Sequence, residues 1–223
     1  MVSSDLSVLK RSKLFSGIGE EEIRSMLTCL SAEKRKYKKG EYVLRFGDPV
    51  SAVGIVISGS VDVVKEDYWG NRNLVAAILP GQSFAESYAC AGNVPLGVSV
   101  QASQASEILL MNLQGILTTC SSACAFHTRL IRNLVSLLAS KNLMMNEKLT
   151  FLTQRSTREK LLAYLSAESM RLHASDFSIP FNRQQLADYL SVDRSAMSNE
   201  LSKMQKEGIL EYHKNHFLLR QPE

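Results

Sequence analysis

The sequence predicts an α+β protein in three parts: a small antiparallel β-roll in the first half, one long helix, and a C-terminal pair of helices followed by a β-hairpin. Three observations carry this prediction. Between about residues 37 and 112, short apolar runs alternate with glycine turns, the spacing of a small barrel or roll. Residues 126–152 contain neither glycine nor proline and hold apolar side chains near heptad intervals, which predicts one continuous helix. Beyond residue 155, two capping signatures and a glycine stop bound shorter helices.

Taken in order, residues 2–30 form short helices whose apolar side is Leu6, Leu9, Leu14, Phe15, Ile23, Leu27 and Leu30. In VGIVISGSVDVV, Ile55 and Ile57 alternate, Gly59 supplies a bend, and Val61 and Val63 alternate again. FGDP and YWGN read as turns, because glycine reaches positive φ without penalty. The basic run KRKYKK at 34–39 reads as a solvated strand edge.

In the long helix, Ile131, Leu134, Leu138, Met145 and Leu152 share a face interrupted by Lys141 and Asn142. Helices that pair with a twin use such a polar position to fix register, so a homodimer is expected with those five residues at its interface. The segments are 1–125 for the roll with its N-terminal helices, 126–153 for the long helix, and 154–223 for the C-terminal domain. Gln154 and Arg155 form the hinge, since Ser156-Thr157-Arg158-Glu159 is a capping box that opens a new helix.

A second capping box, Asn182-Arg183-Gln184-Gln185, opens a helix through Leu186, Ala187 and Leu190. The turn Ser191-Val192-Asp193 follows, and Asp193 caps a further helix whose Met197, Leu201 and Met204 face the core. Arg194, Ser195, Ser198, Asn199 and Ser202 lie opposite. Small side chains let a helix backbone approach base edges, arginine pairs in a fork with guanine, and asparagine does so with adenine. Two helices joined by so tight a turn fit a helix-turn-helix whose second member enters the DNA major groove. Gly208 suits the helix end, and ILEY and FLLR around HKNH form a wing. Asn182, Arg183 and Gln184 are expected to hold backbone phosphate.

Composition agrees with a globular chain: 223 residues, 45% hydrophobic, 22% charged, formal net charge +4. No apolar run of about 18 residues and no basic-then-apolar leader occurs, so neither membrane span nor secretory signal is indicated and a cytoplasmic protein is expected. The four cysteines, Cys29, Cys90, Cys120 and Cys124, are too scattered for a disulfide scaffold and are expected to be buried thiols. Cys120 and Cys124, four apart, form either a redox pair or two small buried residues.

Roll, long helix and winged helix-turn-helix in that order resemble the CRP/FNR family of bacterial transcription regulators over nearly the whole chain. GEYVLRFGDPVSAVGIVISGSVDVV is similar to the glycine pattern of the cyclic-nucleotide-binding roll, a double-stranded β-helix, matched at Gly40, Gly47, Asp48, Gly59 and Gly81. RQQLADYLSVDRSAMSNELSKMQKEGIL is similar to the family's helix-turn-helix and the start of its wing. The resemblance implies a homodimer on a palindromic double-stranded DNA operator, with half-sites about one duplex turn, on the order of 34 Å, apart. It further implies a small-molecule effector in the roll, and contact with RNA polymerase if the protein is an activator.

Departures from the family pattern sharpen these expectations. Members that bind cyclic AMP carry Gly-Glu and, ten residues after the glutamate, Arg-Ser or Arg-Thr around the phosphate; here Ala85-Glu86 is followed by Leu96-Gly97. A buried phosphate would meet Glu86 without a compensating cation, so cyclic AMP is not the expected ligand. The effector pocket is expected to include Glu86, Tyr88, Val94, Leu96 and Val98, with Met145 and Asn146 from the long helix. Too few N-terminal cysteines occur for the family's iron–sulfur cluster. His127, His173, His213 and His216 all lie outside the roll, which argues against haem and against a cupin metalloenzyme. No resident cofactor, metal or enzymatic activity is expected. On the recognition helix, Arg194, Ser195 and Asn199 stand where the family often has Arg-Glu and a further arginine, so a different half-site is expected. The alternative reading is a ligand-binding roll that regulates a partner protein through its C-terminal domain.

Overall fold

Val53–Ile57 is buried at every position, without the alternation of a one-sided strand. A strand can be apolar on both faces only where both are covered. The computed structural model, which describes residues 3–117 and 125–220, shows what covers them. Val53, Ile55 and Ile57 enter one core with Leu6, Leu9, Phe15 and Ile23, whereas Val56 enters a second core with Val61, Phe84, Val100 and Ile108. The alternation at Ile55 and Ile57 is present, and the residue between them serves the inside of the roll.

Two four-stranded antiparallel sheets build that roll. One has the order β1-β8-β3-β6, from β1 (Glu33–Tyr37), β8 (Ser106–Asn112), β3 (Ala52–Ser58) and β6 (Ser83–Phe84). The other is β2-β7-β4-β5, from β2 (Tyr42–Leu44), β7 (Ser99–Ala102), β4 (Val61–Glu66) and β5 (Arg72–Ile78). At the corner between β3 and β4, Gly59 has φ +81°, and a Cβ there would lie 2.7 Å from the Cα of Ser106 and against the Ala105 carbonyl. Helices α1 (Ser3–Arg11) and α2 (Glu20–Cys29) bring Leu6, Leu9, Ile23 and Met26 onto the outer core, as their apolar spacing predicts.

The basic run behaves as a sheet edge. Among the described residues strand β1 pairs only with β8, and Lys34 bridges Asp5 and Glu107 at 2.9 and 3.1 Å while Lys36 meets Glu107 at 3.2 Å. Charges on an edge strand discourage pairing with another chain. The cysteine expectation needs correction: Cys29 and Cys90 are exposed, while Met26 and Ala89 in the same helical turns take the buried positions. Cys120 and Cys124 lie outside the described residues.

After the short helices α3 (Glu86–Ala91) and α4 (Leu113–Leu117), helix α5 (Ala125–Leu152) runs for 28 residues. It carries two apolar stripes. Leu130, Leu134 and Leu137 are buried, and the first two enter the outer core of the roll. Ile131, Val135, Leu138, Asn142, Met145, Leu149 and Leu152 follow the alternating 4,3 spacing of a coiled-coil seam. Val135, Met145 and Leu149 in that row are 60%, 66% and 54% exposed. Leu134, expected at a dimer interface, is instead 1% exposed against its own roll, and Leu138, expected there too, is partly buried against the same core. A 3.6-residue helix with leucines at both i and i+1 offers two faces, and sequence periodicity does not say which one the subunit uses internally.

The chain divides into two compact units, Met1–Ser140 and Lys141–Glu223, and α5 contributes to both. In the second, α6 (Thr157–Leu172), α7 (Arg183–Leu190) and α8 (Arg194–Lys206) enclose Leu161, Leu165, Leu186, Leu190, Met197, Leu201 and Met204 with Phe151 and Phe217. The hairpin of β10 (Leu210–His213) and β11 (His216–Leu219) gains a third strand, β9 (Asp176–Ser178), in the order β10-β11-β9. Sequence reasoning missed β9, a three-residue strand with Phe177 as its one buried side chain. Among the described residues no helix is long and apolar enough to cross a membrane.

Candidate nucleic-acid interface

Local hydrogen bonds fix both ends of the helical pair. Asn182 Oδ1 accepts the Gln185 amide at 2.9 Å while Gln185 Oε1 accepts the Asn182 amide at 2.9 Å, the reciprocal box that opens α7. Ser191 takes a left-handed conformation at φ +50°, and the Val192 amide returns to the Ala187 carbonyl, which ends α7 abruptly. Asp193 Oδ1 then accepts the Ala196 amide at 2.8 Å and starts α8.

Helical periodicity turns Met197, Leu201 and Met204 fully into the core. Arg194, Ser195, Asn199 and Ser202 are thereby exposed, with Ser198 half-buried beside them. The serines are not equivalent. Ser198 Oγ donates to the Arg194 carbonyl at 2.9 Å, and Ser202 Oγ donates to the Ser198 carbonyl at 3.0 Å. A hydroxyl carries one proton, so in this geometry both serines can only accept from a further partner. Arg194 supplies donors in a planar fork and Asn199 supplies both donor and acceptor, the chemistry that base edges require.

The three residues expected on phosphate are each engaged within the unit. Asn182 caps α7, and Gln184 Nε2 donates to Asp188 Oδ1 at 2.8 Å. Arg183 lies with Cζ 4.6 Å from the centre of the Tyr212 ring and 5.2 Å from that of Phe217. Burial pushes its pKa below the usual guanidinium range. A cleft of about 460 Å³ opens between Pro180–Arg183, Gln185 and the wing turn Lys214–Asn215.

Two cations of α6 hold the helical pair from behind. Arg158 donates to Glu207 at the end of α8 and to Glu200 at 3.3 Å, while Lys160 Nζ donates to the Leu190 carbonyl at 3.3 Å. Sequence reading placed Arg158 only within a capping box, because partners 42 and 49 residues away leave no local signal. Its hydrogen bond, then its charge, hold the Glu207 carboxyl below the ordinary carboxylate range. With the folded pKa depressed, the pair's stabilisation is present above the ordinary carboxylate value and is lost as pH falls through the lowered one. Arg158→Gln is therefore expected to move the Glu207 carboxyl titration upward in NMR; an unmoved titration would remove Arg158 as the cause.

In the roll, Glu86 is buried as the first residue of α3 (Glu86–Ala91), a helix not anticipated from sequence. Leu96 is buried, Val98 and Tyr88 are half-buried and Val94 is exposed. A Cβ added to Gly97 would lie 2.9 Å from the Tyr88 hydroxyl, so Tyr88 and the 96–98 segment do come together. Met145 and Asn146 are exposed on α5 in the second unit. Among the described residues no group of three or more His, Cys, Asp or Glu side chains could hold a metal.

Residues 34–123 match the cyclic nucleotide-binding domain model, and residues 159–223 match the Crp-like helix-turn-helix domain model. The chain belongs to the CRP/FNR family of transcription regulators. The family assignment makes it a regulator with a sensor domain and a DNA-binding domain. It is 22% identical over 182 residues to the transcriptional activator protein FnrA of Stutzerimonas stutzeri, covering 79% of this chain and 72% of that protein. It is 20% identical over 187 residues to electron transport regulator A of Shewanella oneidensis, covering 80% and 71%. The fold is similar to that of the catabolite activator protein of Thermus thermophilus, with TM-score 0.56, 24% identity and 94% of each chain covered.

Proposed function

We propose that two copies of this regulator pair along α5 and read a palindromic operator with Arg194 and Asn199, while the roll responds to a small molecule other than cyclic AMP. The observation that carries this reading is the sorting of α8: Met197, Leu201 and Met204 wholly inside, Arg194, Ser195 and Asn199 outside. Pairing along Val135, Met145 and Leu149 would cover apolar surface that one subunit leaves in water, with Asn142 setting the register. The protein acts in the cytoplasm, without enzymatic activity, and contacts RNA polymerase where its operator position activates transcription.

Against cyclic AMP stand Leu96 and Gly97, which supply no cation, and the Tyr88 hydroxyl, which lies over the backbone of Gly97. A phosphate there would meet a phenol, with no cation from positions 96 and 97 to compensate it.

Selection from a random duplex pool tests the reading, followed by affinity measurements on the selected duplex and a shuffled one. Arg194→Ala and Asn199→Ala are each expected to lose about 1–3 kcal/mol of discrimination at particular base pairs. Equal loss on both duplexes for Asn199→Ala would refute base reading. Failure of the wild-type protein to enrich any duplex, with salt-independent binding, would favour the partner-protein alternative.

A further inference from the structure

We infer that Arg183 is a positioning residue: its guanidinium braces the wing against the recognition helix through Tyr212 instead of clamping a DNA phosphate. This inference rests on the proposed DNA-reading function.

The geometry links three elements in series. Arg183, the first residue of α7, stacks on Tyr212 of β10 and on Phe217 of β11 at 4.6 and 5.2 Å. Tyr212 in turn packs on Phe217, with ring centroids 6.1 Å apart. At its far end, the Tyr212 hydroxyl is 3.3 Å from Ser202 Oγ on the outer side of α8. Because the Ser202 proton is already donated to the Ser198 carbonyl at 3.0 Å, the tyrosine is the donor in that contact. The first helix, the wing and the recognition helix are thus joined through one phenol ring.

Arg183 itself is poorly placed to neutralise a phosphate. It is half-buried, and its Nη2 is shielded from solvent with no hydrogen-bond partner among the described residues. A guanidinium stacked on an aromatic face gains from the ring's negative potential, and turning it outward would uncover both rings. Lys214 at the wing turn, exposed across the cleft from Arg183, is left as the cation that faces a phosphate backbone.

A phosphate clamp, a brace and a merely structural residue predict different changes, and the full-length protein separates them on the selected and shuffled duplexes across a salt series. Removing a clamp lowers the slope of log affinity against log salt by about 0.9 per phosphate and weakens both duplexes alike. Removing a brace leaves the slope unchanged and lowers the selected-to-shuffled affinity ratio. A structural residue moves melting temperature and active fraction only.

The expected result for Arg183→Met, which keeps an apolar stem over the rings, is an unchanged slope and a ratio reduced roughly tenfold, the scale of one partly desolvated cation–π contact. Tyr212→Phe keeps the stack and loses the Ser202 contact, and it should lower the ratio by a smaller factor. In a Tyr212→Leu background, Arg183→Met should add little. A reduced slope, additive losses, or an unchanged ratio overturns the proposal. A wild-type protein that enriches no duplex overturns the DNA-reading function, and this inference with it.

Discussion

Leu149→Asp is expected to convert the protein to a monomer in light scattering or sedimentation, and to weaken binding to the selected duplex by about 10²–10⁴-fold. Leu149 is 54% exposed in the row of α5 that keeps heptad spacing. In the proposed dimer, an aspartate there would place an unpaired charge in an apolar seam against its own symmetry mate, where both desolvation and like-charge repulsion oppose association. The loss of duplex affinity follows without any change at α8, since two linked recognition helices bind with an effective concentration that one helix lacks. Leu134→Ala provides the contrast. That side chain fills the roll's outer core, so the change should cost about 2–5 kcal/mol of stability and leave the dimer's mass unaltered. A dimeric Leu149→Asp protein, or a Leu134→Ala protein that dissociates at unchanged melting temperature, would show that the two stripes of α5 have been assigned the wrong way round.

Gly59→Ala should destabilise the roll by about 2–5 kcal/mol and lower its melting temperature by on the order of 10 °C. Two penalties add. The residue holds φ +81°, a region in which any Cβ is strained, and the atoms that the new methyl would meet are the backbone of Ser106 and Ala105. Ser106 opens β8 and pairs with Tyr37 of β1, and backbone held in that ladder has no rotamer to move aside. The neighbouring contacts are equally tight: Ser60 and Ser106 are joined at 3.0 Å through the Ser60 amide. A melting temperature within about 2 °C of wild type would mean that the corner rearranges more easily than this ladder allows.

Much of this architecture is legible in the chain because its punctuation is local. Capping boxes at Ser156 and Asn182 and the cap at Asp193 each need only a few adjacent residues, and the structure forms each of them. The sorting of α8 was likewise readable, since one helical turn decides which side chains meet the core. What sequence did not reveal depends on residues far apart. Leu134 and Val135 are neighbours with opposite fates because the roll, not the helix, selects the face. Arg158 reads as part of a capping box and Arg183 as a phosphate contact until Glu200, Glu207, Tyr212 and Phe217 arrive from distant strands and helices. Strand β9 is too short to announce itself and exists only as a partner for β11.

Among the described residues, the clusters around Ile55 and Val56 share no residue with the one around Leu201. Cooperativity follows shared side chains, so heating is expected to produce two calorimetric endotherms, and a single van't Hoff fit would return an enthalpy belonging to neither. Conditions that melt the sensor unit alone then leave the helix-turn-helix unit folded and deaf to any signal.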